Sequence, residues 1–266
     1  MIFNWFKIFI YHLRQNKLFS FLNVLGLSIG IASIIFAILY WNDEHAYDQW
    51  NPAKENTFQV LNKIGMTGDT WASSSIPFGE TCKATIPEIE QICFMNIWYD
   101  TEIIKYKDIK LLDKKIFYTD ENFFEFFPFE IIKGAKKDIL KEKNSVAIEE
   151  NQVKLLFKDE EPIGKSIQYS NKTYIVRAVY RLTRPSSVEP NYVFNGIKRE
   201  GDLNSWGNFN YGLMVKTKPG SDPAVVRKKM QHVNFVNRTL KEAKESGKTV
   251  EEFVKEFGEI TVILLQ

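Results

Sequence analysis

Polar and apolar positions divide the chain at one place. From Leu18 to Asn42 no residue carries a charge, and LFSFLNVLGLSIGIASIIFAILYWN reads as one helix. With a rise of about 1.5 Å per residue, about 20 apolar residues cross a hydrocarbon core of about 30 Å. The run is longer than a signal-peptide core, and the WNDEHAYDQW that follows offers no small-residue cleavage site. A retained transmembrane helix over 18–42 is therefore expected, against the competing readings of a cleaved signal or a buried core helix. Tyr40 and Trp41 close the run, where amphipathic rings favour the headgroup level.

The flanks orient this span. Phe3, Phe6, Ile10 and Leu13 recur at helical spacing, with Lys7, Arg14 and Gln15 between them. Residues 1–17 thus read as an amphipathic helix lying in the headgroup layer. Lys7, Arg14 and Lys17 precede the span, whereas Asp43, Glu44 and Asp48 follow it. Lys and Arg stay on the cytoplasmic side, so the N-terminus is expected in the cytoplasm and residues 43–266 outside it. Within the span Gly26 and Gly30 share a helix face that Ser33 and Ala37 continue, a surface suited to close helix packing.

Beyond Asn42 the pattern shortens to strands and small helices. Strands are predicted over 57–64, 92–107, 109–118, 145–148, 166–169, 173–180, 208–216 and 260–265. Helices are predicted over 76–86, 149–157, 223–243 and 250–257. Asp108 and Asn171 mark hairpin turns, and Pro77 fits the first turn of a helix. The elements alternate without a regular βαβ rhythm, which gives an α+β outer domain, in two lobes, after the N-terminal transmembrane helix. The first and last strands are candidates to pair. DENFFEFFPFEIIKG holds five phenylalanines that cannot all face one side.

Composition changes the picture little. Lys and Arg total 35 against 33 Asp and Glu, and without a basic patch this balance argues against a nucleic-acid partner. Cys82 and Cys93 permit a disulfide in an exported domain, but a helix and a strand carry them, and free thiols are the favoured state. His12, His45 and His232 are too scattered for a metal site. No GxxxxGK[ST] loop, GxSxG elbow or HExxH helix occurs. The acidic groups Glu149–Glu150 and Asp159–Glu161 read as solvated rather than catalytic. No catalytic residue, cofactor or metal is expected.

Several stretches together resemble the N-terminal half of an FtsX-like, MacB-type ABC transporter permease, in the long version of Bacteroidetes-like bacteria. They are NKLFSFLNVLGLSIGIAS, DEHAYDQW, FYTDENFFEFFPFEIIKG, NSVAIEE, EEPIGKSI and LMVKTKPG. The chain departs from the family's habit at Phe58–Gln59, at Ala178–Val179, at Pro185–Ser186–Ser187, and at Phe157–Lys158, where Phe-Gly is common. Such permeases continue into further spans, whereas this sequence stops at VILLQ, about where the outer domain would finish.

The resemblance implies a bacterial inner-membrane protein with a MacB-like periplasmic core domain over 43–266. Its movement would be driven by a separate cytoplasmic ABC ATPase, with a permease dimer, membrane lipid and a periplasmic protein as further partners. Gly26, Gly30 and Ser33 would then pack helices, while Asp43, Glu44, Tyr47 and Asp48 would shape the juxtamembrane coupling joint. The rival reading is a membrane-anchored binding or sensory module without transport; an enzyme ranks third.

Overall fold

The computed structural model describes residues 2–96, 101–134 and 137–266. It divides into two compact units, Met1–Gln49 and Trp50–Gln266. The first holds α1 (Ile2–Gln15) and α2 (Lys17–Glu44). The latter is long and apolar enough to cross a membrane. The side chains of Phe3, Phe6 and Leu13, on which the apolar face of α1 rests, lie outside the described residues.

In the second unit the chain runs β1 (Thr57–Ile64), β2 (Thr70–Trp71), α3 (Ile76–Thr85), β3 (Ile89–Asn96), β4 (Glu102–Tyr106), β5 (Ile109–Asp113) and β6 (Ile116–Thr119). Next come α4 (Phe123–Phe126), β7 (Glu130–Gly134), β8 (Ser145–Glu149), α5 (Glu150–Phe157), β9 (Ser166–Tyr169), β10 (Lys172–Arg181) and β11 (Tyr192–Asn195). It closes with β12 (Tyr211–Thr217), α6 (Pro223–Asn234), α7 (Leu240–Glu245), α8 (Val250–Phe257) and β13 (Ile260–Leu265). The strands form one mixed sheet in the order β13-β1-β12-β3-β6-β11-β8-β10-β9-β4-β5, with β2 beside β1 and β7 beside β10.

The sheet has two halves, packed among the described residues around three apolar clusters, one of which includes β3 residues of the first half. In the first, α3 and α6 cover β1, β3, β12 and β13, burying Ile76, Phe78, Val226 and Met230 against Val60, Phe94, Leu213 and Val262. In the second, the five-residue strand β8 is buried along its whole length, because side chains pack on both faces. One face carries Phe123, Phe126, Phe127 and Phe129, with Phe124 packed against them. The other carries Tyr174, Tyr192, Phe194 and Phe157. The crowded phenylalanine segment is thus core, α4 turning its rings inward.

Two predicted strands are broken. The 92–107 stretch gives β3 and β4, its residues 97–100 lying outside the described ones, and the 109–118 stretch gives β5 and β6. Between the latter pair the Asp113 carboxylate accepts the Lys115 amide at 2.7 Å, which turns the chain. The predicted 223–243 helix carries a π turn at Phe235–Thr239 between α6 and α7. β7 and β11 were not predicted; each lies among breakers, and long-range pairing makes it a strand. β1 and β13 do pair antiparallel, Gln59 facing Leu265 and Ile64 facing Ile260.

Local chemistry sets the turns. Ser170 and Asn171 both have positive φ, as a two-residue hairpin between β9 and β10 requires. The Asp222 carboxylate caps α6 by accepting the Ala224 amide at 2.8 Å, with Pro223 in the first turn. Thr249 and Glu252 form a capping box on α8.

Candidate functional site: the helix joint and the sheet seam

The apolar helix is exposed along its length, and none of its residues is buried. A Cβ at Gly26 or Gly30 would meet nothing within 4 Å. Ser33 satisfies its hydroxyl inside the helix, donating to the Ile29 carbonyl at 2.8 Å, as an apolar surrounding demands. Positions 26, 30, 33 and 37 fall on one side of α2.

The helix ends in acid. Asp43 and Glu44 occupy its last turn, where negative charge is disfavoured by the macrodipole and no base compensates. The His45 ring stacks on Trp41 with centroids 4.0 Å apart, and its Nδ1 lies 2.8 Å from the Trp41 carbonyl oxygen. The chain then turns, Ala46 donating its amide to the Asp43 carbonyl at 3.0 Å and Asp48 taking φ 54°. Asp43 and Glu44 are neighbours on one turn, while Tyr47 and Asp48 follow in the bend. The four line one stretch of chain.

Sequence reasoning missed the next two residues, which fasten the chain to the outer domain. The Trp50 indole donates to the Pro185 carbonyl at 3.1 Å, and its ring lies 5.4 Å from that of Phe129. Buried Asn51 donates to the Phe126 carbonyl at 2.7 Å and accepts the Ala53 amide at 3.0 Å. The signal was present as Trp-Asn-Pro, but its partners lie 75 to 135 residues away.

The two halves of the sheet meet at a narrow seam. β3 and β6 share a single registered pair, Met95 opposite Thr119. Side chains complete it. Asp120, 2% exposed, accepts the Phe94 amide at 2.9 Å and the Asn122 amide at 3.0 Å. The Thr119 hydroxyl donates to the Phe94 carbonyl at 2.7 Å, and the Cys93 sulfur lies 3.3 Å from that hydroxyl. Burial pushes the Asp120 carboxyl up, against these amides and the Lys198 ammonium 3.8 Å away. Burial opposes the charge on Lys198, but Glu80, at 2.7 Å, and Asp120 more than offset it and hold its pKa raised.

Chemistry elsewhere is structural. Cys82 and Cys93 are free, buried thiols, and burial raises the pKa of each. Glu149, expected to be solvated, is buried and caps α5 through the Asn151 amide at 2.8 Å. Glu150 takes a two-pronged contact from Arg181 at 2.7 and 2.9 Å. Among the described residues no group of three or more His, Cys, Asp or Glu side chains is placed to hold a metal ion.

An apolar N-terminal helix followed by a mixed α/β domain on one large sheet defines a membrane-tethered module. The sequence matches the MacB-like periplasmic core domain family over residues 20–233, and the chain belongs to that family. The fold is similar to a domain from a Porphyromonas gingivalis protein described as a permease, with 18% identity, TM-score 0.62, and 80% of this chain and 90% of that one covered. It is also similar to the periplasmic region of MacB from Actinobacillus actinomycetemcomitans, at 14% identity and TM-score 0.52, covering 81% and 92%. A third likeness is to the extracellular domain of the noncanonic ABC-type transporter YknZ from Gram-positive bacteria, at 13% identity and TM-score 0.50, covering 78% and 100%. No curated protein matches the sequence. The family is thus that of the MacB-like periplasmic core domain, and the fold is the one shared with these three domains.

Proposed function

We propose that this chain is the leading portion of an ABC transporter permease in a bacterial inner membrane. Residues 1–17 lie on the cytoplasmic surface, 18–42 cross the membrane and 43–266 work in the periplasm. A separate cytoplasmic ATPase supplies the energy. Gly26, Gly30 and Ser33 pack against another span of a permease dimer, and Asp43, Glu44, Tyr47 and Asp48 pass movement to the outer domain. That domain handles a substrate or a partner protein already outside the cytoplasm.

One observation carries this reading. β1 and β13 are neighbours in antiparallel register, so the strand that opens the domain and the strand that closes it reach the same end of the sheet. A domain built this way moves as a lever on two adjacent supports, and the Trp50 and Asn51 contacts transmit displacement directly to the phenylalanine core.

The test is topology followed by coupling. Single cysteines replace Lys7 and the exposed His232 in the full chain, whose own two thiols are buried. An impermeant maleimide should label His232→Cys in cells with a permeabilised outer membrane, and Lys7→Cys only after lysis. The protein purified from its native membrane should carry vanadate-sensitive ATPase activity whose rate changes when Asp43 and Glu44 are both replaced by Lys. Labelling of both cysteines from one side, or an ATPase indifferent to the joint, would overturn the proposal.

A further inference from the structure

At the Ile64 end of β1, opposite the end where the chain enters the domain, lies a cleft of about 450 Å³. Its walls are Trp71, Phe209, Phe253 and Phe257, with Met66 at the rim. Trp71 meets Phe209 edge-on, centroids 6.1 Å apart, and Phe253 meets Phe257 at 4.9 Å. The polar side chains are few. Arg238 stands over the Phe209 ring, 5.0 Å from its centroid, and its Nε donates to Glu242 at 3.0 Å. Thr239 completes the lining on that side.

The cleft is built, not left over. Arg238 and Thr239 belong to the π turn between α6 and α7, an irregularity that recurs at functional sites because it re-aims side chains. The floor is two backbones in contact. A Cβ at Gly258, where φ is +72°, would lie 2.4 Å from Gly65 and Met66 backbone atoms, and one at Gly65 would lie 2.5 Å from Glu259. This close approach lets the end of α8, where Phe257 lies, meet the β1–β2 turn.

We infer that this cleft binds an uncharged, planar apolar small molecule of two or three fused rings carrying one oxygen acceptor. Pockets of about 300–1,000 Å³ with apolar walls and few polar groups are the usual form of a small-molecule site. An apolar cavity of about 150 Å³ accommodates benzene, and this one is about three times larger. Arg238 and Glu242 neutralise each other, so the site selects no net charge. The Arg238 Nε is committed to Glu242, which leaves the outer edge of the guanidinium to donate to the ligand's oxygen. The inference is independent of whether the chain works with an ATPase.

The experiment uses the full chain in lipid nanodiscs, labelled with 5-fluorotryptophan, and neutral 2-naphthol as the probe. The Trp71 fluorine resonance, assigned by Trp71→Phe, should shift saturably. Trp41, on the apolar helix, reports partition of the probe into lipid, and Trp206, packed on the first core, reports folding. Met66→Lys, at a position 64% exposed, should weaken binding about tenfold or more by placing an ammonium in the apolar mouth. Phe257→Lys, at 41% exposed, should do the same and stands in should the first variant lose the Trp206 signal. Arg238→Gln should weaken binding about threefold to tenfold through loss of a charge-assisted donor. A linear, unsaturable response at Trp71, or saturation unchanged in both lysine variants, would overturn the site. Unchanged affinity in Arg238→Gln would overturn the oxygen contact.

Discussion

The Asp120 carboxylate accepts the Phe94 amide at 2.9 Å across the seam where the two halves of the sheet meet. Backbone pairing there amounts to Met95 against Thr119 and one further bond, the Asp120 amide donating to the Phe94 carbonyl at 3.2 Å. A buried carboxylate therefore adds to the few ladder bonds of a short strand overlap, alongside the apolar cluster that joins Cys93 and Met95 of β3 to Phe117 and Phe123. Asp120→Ala leaves the Phe94 and Asn122 amides without acceptors inside the protein. The expected loss is about 2–3 kcal/mol, read as a lower denaturation midpoint, with faster hydrogen exchange of the Phe94 amide than of amides in β8.

The same residue sets a pH dependence. Burial raises the Asp120 carboxyl above its ordinary value, so the native state holds this proton more tightly than the unfolded chain. Its contribution is then fully present below the unfolded pKa and is lost as pH rises through the native one. The paired acids Glu150 and Glu160 are lowered by contacts with Arg181 and Lys107, and their smaller contributions fade as pH falls through the native pKa values. Comparing the protein with Asp120→Asn isolates the first effect. Relative to the variant, the unaltered protein should gain stability as pH falls through the raised native pKa toward the unfolded carboxyl value of about 3.9. A difference independent of pH in paired urea melts would refute this.

Lys158 departs from the Phe-Gly habit of related sequences, and the backbone shows its cost. It ends α5 with φ 54° and ψ −111°, a conformation that a side chain disfavours. Lys158→Gly should stabilise the protein by about 1 kcal/mol, the relief of strain exceeding the extra entropy lost by glycine. Thermal melts of the two proteins under one condition decide the sign.

Gly258 makes the opposite case, combining positive φ with a close approach to Gly65 and Met66. Gly258→Ala should cost more than 2 kcal/mol, whereas Gly68→Ala, at positive φ with open space around it, should cost about 1 kcal/mol. Equal losses in the two variants would show that the contact does not matter.

Phe126 is fully buried in the cluster that Asn51 grips through its carbonyl. Phe126→Ala should cost about 3–5 kcal/mol. Gly26→Leu and Gly30→Leu meet open space and should leave the unfolding of the outer domain unchanged, while reducing disulfide cross-linking between copies carrying Ser33→Cys. Undiminished cross-linking would remove the packing role of that face.

Much of the domain was legible because its signals are local. The Ser170–Asn171 hairpin, the helix starting at Pro223 and the β1 pattern each rest on signals within a few residues. β7 and β11 escaped because their neighbours, β10 for one and β6 and β8 for the other, decide what they become. The Trp50 and Asn51 fastening escaped for the same reason, as did the role of Asp120, and Glu149 read as a solvated acid because burial is not written in a carboxylate's own neighbours.

The order of residues alone determined that an uncharged helix precedes a mixed α/β domain, since charge and apolar period act along the chain. Tertiary structure alone decided that a buried aspartate closes the seam, that a π turn swings Arg238 over Phe209, and that two glycine backbones touch beside a cleft. Each of those depends on groups far apart in sequence, and their energies exist only once the chain has brought them within a few ångströms and excluded water.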